Sequence, residues 1–254
     1  MFQVFPVPAF QDNYIWCIRQ ENRVSLVDPG DAGPVLHMLD REGLIPSAIL
    51  ITHHHDDHVG GIEGLLERYP LPVYGPAKER IPGMSHPLRE GDAVSLETAL
   101  SLKVLEVPGH TLGHIAYAGG RLLFCGDTLF TGGCGRLFEG TPEQMYASLR
   151  KLSLLPNDTL VYCAHEYTLD NLRFALKVEP ENLELQNRFK ETLYLREQGL
   201  PTVPASLRLE KCTNPFLRCE RPSVVKAAQR FAGKPVAPGV ETFAVIRHWK
   251  DLQD

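Results

Sequence analysis

Residues 51–61 read ITHHHDDHVGG, and the run leading into them, SAILIT (47–52), has the unbroken apolar character of a buried strand. In extended backbone, residues two apart share a face, so His53 and His55 point one way and His54 the other. Asp57 and His58 follow where the chain turns into a Gly-rich helix start, which lets them face a second position close to the first. Neutral imidazole is the commonest biological metal ligand, and a neighbouring carboxylate suits a hard or borderline divalent ion such as zinc, iron or manganese. Four histidines gathered without an ion would repel one another on protonation, so the run has the character of a metal site and not of a hydrogen-bonded core cluster.

Three further polar residues follow apolar, strand-like runs: His110 in VPGHTLGH, Asp127 in FCGDTLF and His165 in YCAHEY. Ligands in open αβ sheets gather at the carboxyl ends of strands, so these endings point to the same site. Five histidines and two aspartates serve two ions. One division gives His53, His55 and His110 to the first and Asp57, His58 and His165 to the second, with Asp127 bridging. A water shared between the ions would be acidified to hydroxide near neutral pH, ready to attack a carbonyl polarised by the adjacent metal. No G-x-S-x-G elbow offers another nucleophile. His114 is a weaker candidate for a supporting role, and His37, His86 and His248 fit no pattern.

Working outward, NYIWCIRQ and RVSLV read as a hairpin around Glu21-Asn22, closing on a turn at Asp28-Pro29-Gly30. PVLHMLDREGL reads as a helix stopping near Gly43, VGGIEGLLERY as a helix, LPVYG, SLKVLEVPGH and RLLFCGDT as strands, PEQMYASLRKLSLL as a helix, and DTLVYCAH as a last strand. Beyond His165 helical periodicity takes over in LDNLRFALKV, ENLELQNRFKETLYLREQG, PSVVKAAQRFAG and ETFAVIRHWKDLQ. The expected organisation is a layered αβ domain over 1–165 followed by a smaller helical domain over 166–254.

Composition narrows the partners. The 254 residues carry 26 basic and 31 acidic side chains, net charge −5, with no Lys/Arg cluster, which argues against nucleic acid. No apolar run approaches the roughly 20 residues that span a bilayer. The N-terminus lacks a basic n-region and a small-residue cleavage site, so a cytoplasmic protein is expected. Six cysteines without C-x-x-C spacing are not a disulfide framework, and Cys125 and Cys163 read as small buried hydrophobes.

The motifs THHHDDH, PGHTLGH, FCGDTLF and CAHEY resemble the metallo-β-lactamase fold superfamily. GDTLFTGGCGRLFEGT, CAHEYTLDNLRFAL and the terminal RHWK narrow the resemblance to the glyoxalase II, or hydroxyacylglutathione hydrolase, family, over nearly the whole chain. The resemblance implies an α+β fold, a four-layered αβ/βα sandwich with a C-terminal helical substrate domain. It implies two divalent ions, zinc foremost, on His53, His55, Asp57, His58, His110, Asp127 and His165, with Asp57 and Asp127 also catalytic. The implied reaction is hydrolysis of S-D-lactoylglutathione to D-lactate and glutathione, the last step of methylglyoxal detoxification, by a cytoplasmic monomer.

The family's glutathione-binding positions fall on Arg136, Phe138, Tyr167, Arg247 and Lys250. Arg and Lys suit the carboxylates of glutathione, and Arg247 and Lys250, three apart on a predicted helix, share a face. Arg136 replaces a frequent Lys, keeping the charge. Phe138 replaces a frequent Tyr and can only pack. Competing activities on the same fold fit less well. A β-lactamase often has Cys at position 127 and Arg at 58, an RNA-processing nuclease would be more basic, and a persulfide dioxygenase would hold one iron. A binding module with a purely structural metal would close its coordination, whereas seven ligands for two ions leave openings.

Overall fold

The computed structural model describes residues 2–96 and 100–253. The chain divides into two units: one runs from the N-terminus through Glu106 and adds Leu112–Gly126, the other joins Val107–Thr111 to everything from Asp127 on.

In the first unit six strands lie side by side in chain order: β1 (Gln3–Ala9), β2 (Asn13–Gln20), β3 (Arg23–Val27), β4 (Ile45–Leu50), β5 (Val73–Pro76) and β6 (His86–Leu88). The first three are antiparallel, and β3 to β6 pair in parallel. The crossover from β3 to β4 is α1 (Ala32–Glu42). Asp31 caps its first turn by accepting from Gly33 N–H, and Gly43, at φ 64°, closes its last turn onto the Leu39 carbonyl. Val35, Met38 and Leu39 of this helix pack on Ile15, Cys17, Leu26 and Ile49 of the sheet. Burying each such side chain contributes about 1.5–3 kcal/mol. β1 went unread in the sequence because of Pro6 and Pro8. Two apart on an edge strand, they remove donors along a single edge and leave the ladder to β2 intact.

The other strands of this unit, β7 (Ala93–Ser95), β8 (Ser101–Glu106), β9 (Ile115–Gly119) and β10 (Leu122–Gly126), form an antiparallel meander. Gly120 and Arg121, at φ 57° and 68°, turn β9 into β10 in the left-handed conformation that two-residue hairpins favour. Tyr117 on β9 donates its hydroxyl to the Ile51 carbonyl at 2.8 Å, tying the meander to the end of β4. Burial, then the nearby Asp28 charge, holds this phenol well above its ordinary pKa, so it stays a donor.

One expectation needs correction. The helix read over VGGIEGLLERY (59–69) is confined to α3 (Ile62–Leu66), and Gly60-Gly61 part it from a separate short helix, α2 (Asp56–Val59). The cause lies in the 28–30 turn, whose backbone presses against this segment: Gly61 N–H donates to the Pro29 carbonyl at 2.9 Å. A Cβ at Gly61 would lie 2.5 Å from that carbonyl oxygen, and one at Gly30 would lie 1.8 Å from the Asp57 oxygen.

The second unit holds a short hairpin, β11 (Leu129–Phe130) with β12 (Gly133–Cys134), then α4 (Pro142–Ser153), opened by the reciprocal Thr141/Gln144 capping box. β13 (Leu160–Cys163) pairs with β14 (Ala205–Ser206), a strand not foreseen. The helices are α5 (Thr168–Val178), α6 (Leu183–Glu197), α7 (Leu207–Thr213), α8 (Pro222–Ala232) and α9 (Val240–Asp251). Phe174, Phe216, Phe231, Phe243 and Trp249 form a chain of aromatic contacts at centroid spacings of 4.8–6.0 Å. Among the described residues no helix is long and apolar enough to cross a membrane.

Gly30→Ala is expected to lower stability by at least about 2 kcal/mol, because its methyl meets backbone and not a movable side chain. Urea unfolding of the variant against the wild-type chain measures this.

Candidate metal site and cavity

Four of the seven expected ligands come from the segment after β4: His53 and His55 from the loop, Asp57 and His58 from α2. Parallel pairing sets Val27 opposite Leu50, so the chain leaves β3 and β4 side by side, and Asp28 N–H donates to the Leu50 carbonyl at 2.9 Å. The buried Asp28 carboxylate accepts from Thr52 N–H and from the Thr52 hydroxyl, both at 2.7 Å. Its Oδ2 also lies 3.1 Å from His58 Nδ1. Asp28 adopts φ 51°, a left-handed conformation that aspartate tolerates better than most residues.

These contacts aim the imidazoles. His53 Nδ1 sits 3.1 Å from the Thr52 hydroxyl, and its Nε2 faces His55 Nδ1 at 3.1 Å. His54 leaves in the other direction, to Glu79 Oε2 at 3.0 Å. Asp57 Oδ2 lies 3.5 Å from His58 Nε2 and accepts from Asn13 Nδ2 at 2.9 Å. His114 is buried, with its ring stacked on His53 at 4.6 Å and its Nδ1 3.0 Å from the Ile115 carbonyl.

The second unit carries the other three. Asp127 Oδ2 stands 3.4 Å from His110 Nε2 and 3.4 Å from His165 Nε2. Asp127 follows β10 directly and His165 lies two residues beyond β13. His110, expected at a strand end, lies four residues past β8 in a loop zipped to residues 138–140. Its carbonyl accepts from Phe138 and Glu139 N–H at 3.3 Å, and the Gly109 carbonyl accepts from Gly140 N–H at 3.1 Å. His110 Nδ1 is anchored on the Arg136 carbonyl at 2.8 Å.

The donor chemistry fits divalent ions. His53, His58 and His110 each spend one ring nitrogen on a fixed partner, namely a hydroxyl, a carboxylate or a backbone carbonyl. The other nitrogen faces further nitrogen or carboxylate donors. Metal-holding imidazoles are oriented in this way.

In the second unit His110 and Asp127 also line a cavity of about 420 Å³, together with Phe130, Cys134, Asp170 and Asn171 and all five residues expected to contact glutathione. Tyr167 stacks on His165 at 4.7 Å, its ring within 4° of parallel, and Phe138 sets its ring edgewise to His110 at 5.2 Å. Arg247 is buried: its Nη1 donates to the Cys134 carbonyl at 2.9 Å and its Nη2 to Asp251 Oδ1 at 2.9 Å. The same Asp251 oxygen lies 3.6 Å from Arg136 Nε. Lys250 is also buried, its ammonium over the Phe174 ring at 6.0 Å. Burial, partly offset by the Arg247 charge, pushes the Cys134 thiol up to about 11. Burial likewise lifts Cys163 to about 11, and Cys125 is equally enclosed.

Asp28, Asn13, Thr52 and Asp251 were not singled out from the sequence. Asp28 had been legible in principle, because it ends an apolar strand just as Asp127 does. Asn13 and Asp251 had no local signal.

The family model for the Metallo-beta-lactamase superfamily matches residues 10–165, and that for the Hydroxyacylglutathione hydrolase C-terminus matches 166–253. The hydroxyacylglutathione hydrolase of Nitrosomonas europaea is 55% identical over 252 residues, covering 99% of this chain and 96% of that protein. That of Aeromonas salmonicida is 55% identical over 254 residues, covering 99% of this chain and 100% of its own. Among solved structures, ETHE1 from Myxococcus xanthus superposes with a TM-score of 0.68 at 26% identity, covering 98% of this chain and 90% of that one. TTHA1623, in a di-iron-bound form, gives 0.61 at 30% identity, covering 84% and 100%. The fold is the α+β sandwich of that superfamily.

Asp28→Ala removes the acceptor of Thr52 and the partner of His58 without replacing any of the seven expected ligands. It is expected to weaken metal binding about 10–100-fold, measured by chelator competition.

Proposed function

The chain belongs to the hydroxyacylglutathione hydrolases of the metallo-β-lactamase superfamily, and we propose that it hydrolyses S-D-lactoylglutathione to D-lactate and glutathione. It is a hydrolase acting on thioesters. One observation carries the choice of substrate: a single cavity is lined both by the metal-type donors His110 and Asp127 and by the cations Arg136, Arg247 and Lys250.

In this reading residues 1–165 form the catalytic domain and 166–254 the substrate domain. His53, His55, Asp57, His58, His110, Asp127 and His165 hold two divalent ions. Nitrogen and oxygen donors bind zinc more tightly than iron or manganese, so zinc is the preferred occupant when supply is equal. Such ions polarise a carbonyl and lower the pKa of water to near neutrality. The protein's own part is orientation and charge. Asn13 holds the Asp57 carboxylate, and the Arg136 carbonyl fixes the His110 ring. Lys250, Arg136 and Arg247 together carry more positive charge than Asp251 neutralises, leaving an excess for the carboxylates of the tripeptide. Phe130, Phe138 and Tyr167 present apolar faces that exclude water around the thioester. The work is done by a monomer in the cytoplasm, a compartment suited to six cysteines that form no disulfide.

The metal-loaded chain is expected to carry two equivalents of divalent metal and to consume S-D-lactoylglutathione, followed by loss of thioester absorbance. Asp127→Ala should reduce kcat at least about a hundredfold, and Lys250→Ala should raise KM about tenfold with kcat little changed. A metal-loaded wild-type chain that leaves this thioester intact sinks the substrate assignment.

A further inference from the structure

The hairpin of β11 and β12 gives Phe130 and Cys134 to the cavity wall and leads directly into Arg136. Its turn is Thr131-Gly132, with Gly132 at φ 73°. Backbone groups in so short a turn need outside partners once buried, and here side chains from α5, α7 and the residue after α7 supply them. Gly132 N–H donates to Glu210 Oε2 at 2.9 Å. The Thr131 carbonyl accepts from Asn171 Nδ2 at 3.2 Å. The Phe130 and Gly133 carbonyls accept from Asn214 Nδ2 at 3.2 and 2.8 Å, and the same amide lies 3.0 Å from Glu210 Oε2.

Behind this clamp stands an ion pair. Arg188 on α6 donates to Glu210 Oε1 and to the Thr213 hydroxyl, which in turn donates to the Leu209 carbonyl at 2.7 Å. Glu210 is 0% exposed and Arg188 5%. A buried ion pair carries a large desolvation cost, and apolar side chains of similar volume usually stabilise a core as well or better. Stability alone therefore does not account for the pair. Its geometry does, because one carboxylate oxygen meets the turn's N–H while the other is locked by the guanidinium.

We infer that Glu210, held by Arg188, is a positioning residue for the cavity: it fixes the Thr131-Gly132 turn and, through it, the places of Phe130, Cys134 and Arg136. The identity of the ligand rests on the function proposed above, but the geometry does not. Arg188→Met/Glu210→Leu keeps the core filled and removes the acceptor, whereas Arg188→Met/Glu210→Gln keeps an amide oxygen for Gly132 N–H.

The first double variant should fold with wild-type metal content and speed Gly132 amide exchange at least about tenfold. Its KM for S-D-lactoylglutathione should rise about tenfold, with kcat within about threefold of wild type. The second should restore KM to within about threefold. Glu210→Asp keeps the charge facing Arg188 but withdraws the acceptor by one methylene, and it should raise KM in the same direction. An unmoved KM in Glu210→Asp overturns the inference even if the Leu variant does not fold, as does a Gln variant no better than the Leu variant. Gly132 protection that persists without the acceptor overturns it too. A wild-type chain without turnover overturns the functional reading instead, while amide exchange still reports on the turn.

Discussion

Asp28 leaves β3 with its carboxylate turned toward the exit of the neighbouring strand, where Thr52 N–H, the Thr52 hydroxyl and His58 Nδ1 close on it. A carboxylate withdrawn from water is tolerable only with such hydrogen-bond and ion-pair partners, and collecting them dictates the surroundings. β3 and β4 must be parallel and adjacent, which the α1 crossover provides. The 28–30 turn must touch the 56–61 segment backbone to backbone, which only glycine at 30, 60 and 61 permits. His53 is then fixed through Thr52 and His58 through Asp28, and Asp57 falls beside Asn13 at the start of β2. Two of the seven expected ligands, His53 and His58, thus take their orientation from one side chain outside that set.

The second unit solves a different electrostatic problem. Arg247 is buried, which demands compensation, and it receives a carbonyl, the Asp251 carboxylate and the face of Phe216 with its guanidinium carbon 5.3 Å from the ring centroid. Asp251 is shared with Arg136, so one anion serves two cations, and Lys250 adds a third positive charge over an aromatic face. Three cations thus stand at the cavity wall with Asp251 as the carboxylate shared by two of them. Of the two carboxylates on its wall, Asp127 lies beside His110 and His165, and Asp170 is paired to Arg173 at 2.7 Å.

What could be read from the sequence followed from local periodicity. The alternation of His53, His54 and His55 put the outer two together and sent the middle one elsewhere, and the strand endings marked Asp127 and His165. Pairings distant in sequence were not readable. Asn13 lies 44 residues from Asp57, and Glu210 lies 78 residues from Gly132. Local rules also misled where tertiary contact overrode them. Gly60-Gly61 resembled a weak point within one helix, but the Pro29 carbonyl makes it a break, and Pro6 and Pro8 concealed an edge strand. His114 showed only four-residue spacing from His110, yet it stacks on His53.

Cys134 stands on the wall of the cavity that, in the proposed function, takes the thioester and releases a thiol. A thiolate there would invite transfer of the acyl group to the protein's own sulfur, with the substrate's thiolate leaving. Burial pushes its thiol up to about 11, so the thiol and not the thiolate is the form present at neutral pH. Burial thus acts as chemical insulation, keeping the acyl group directed to water.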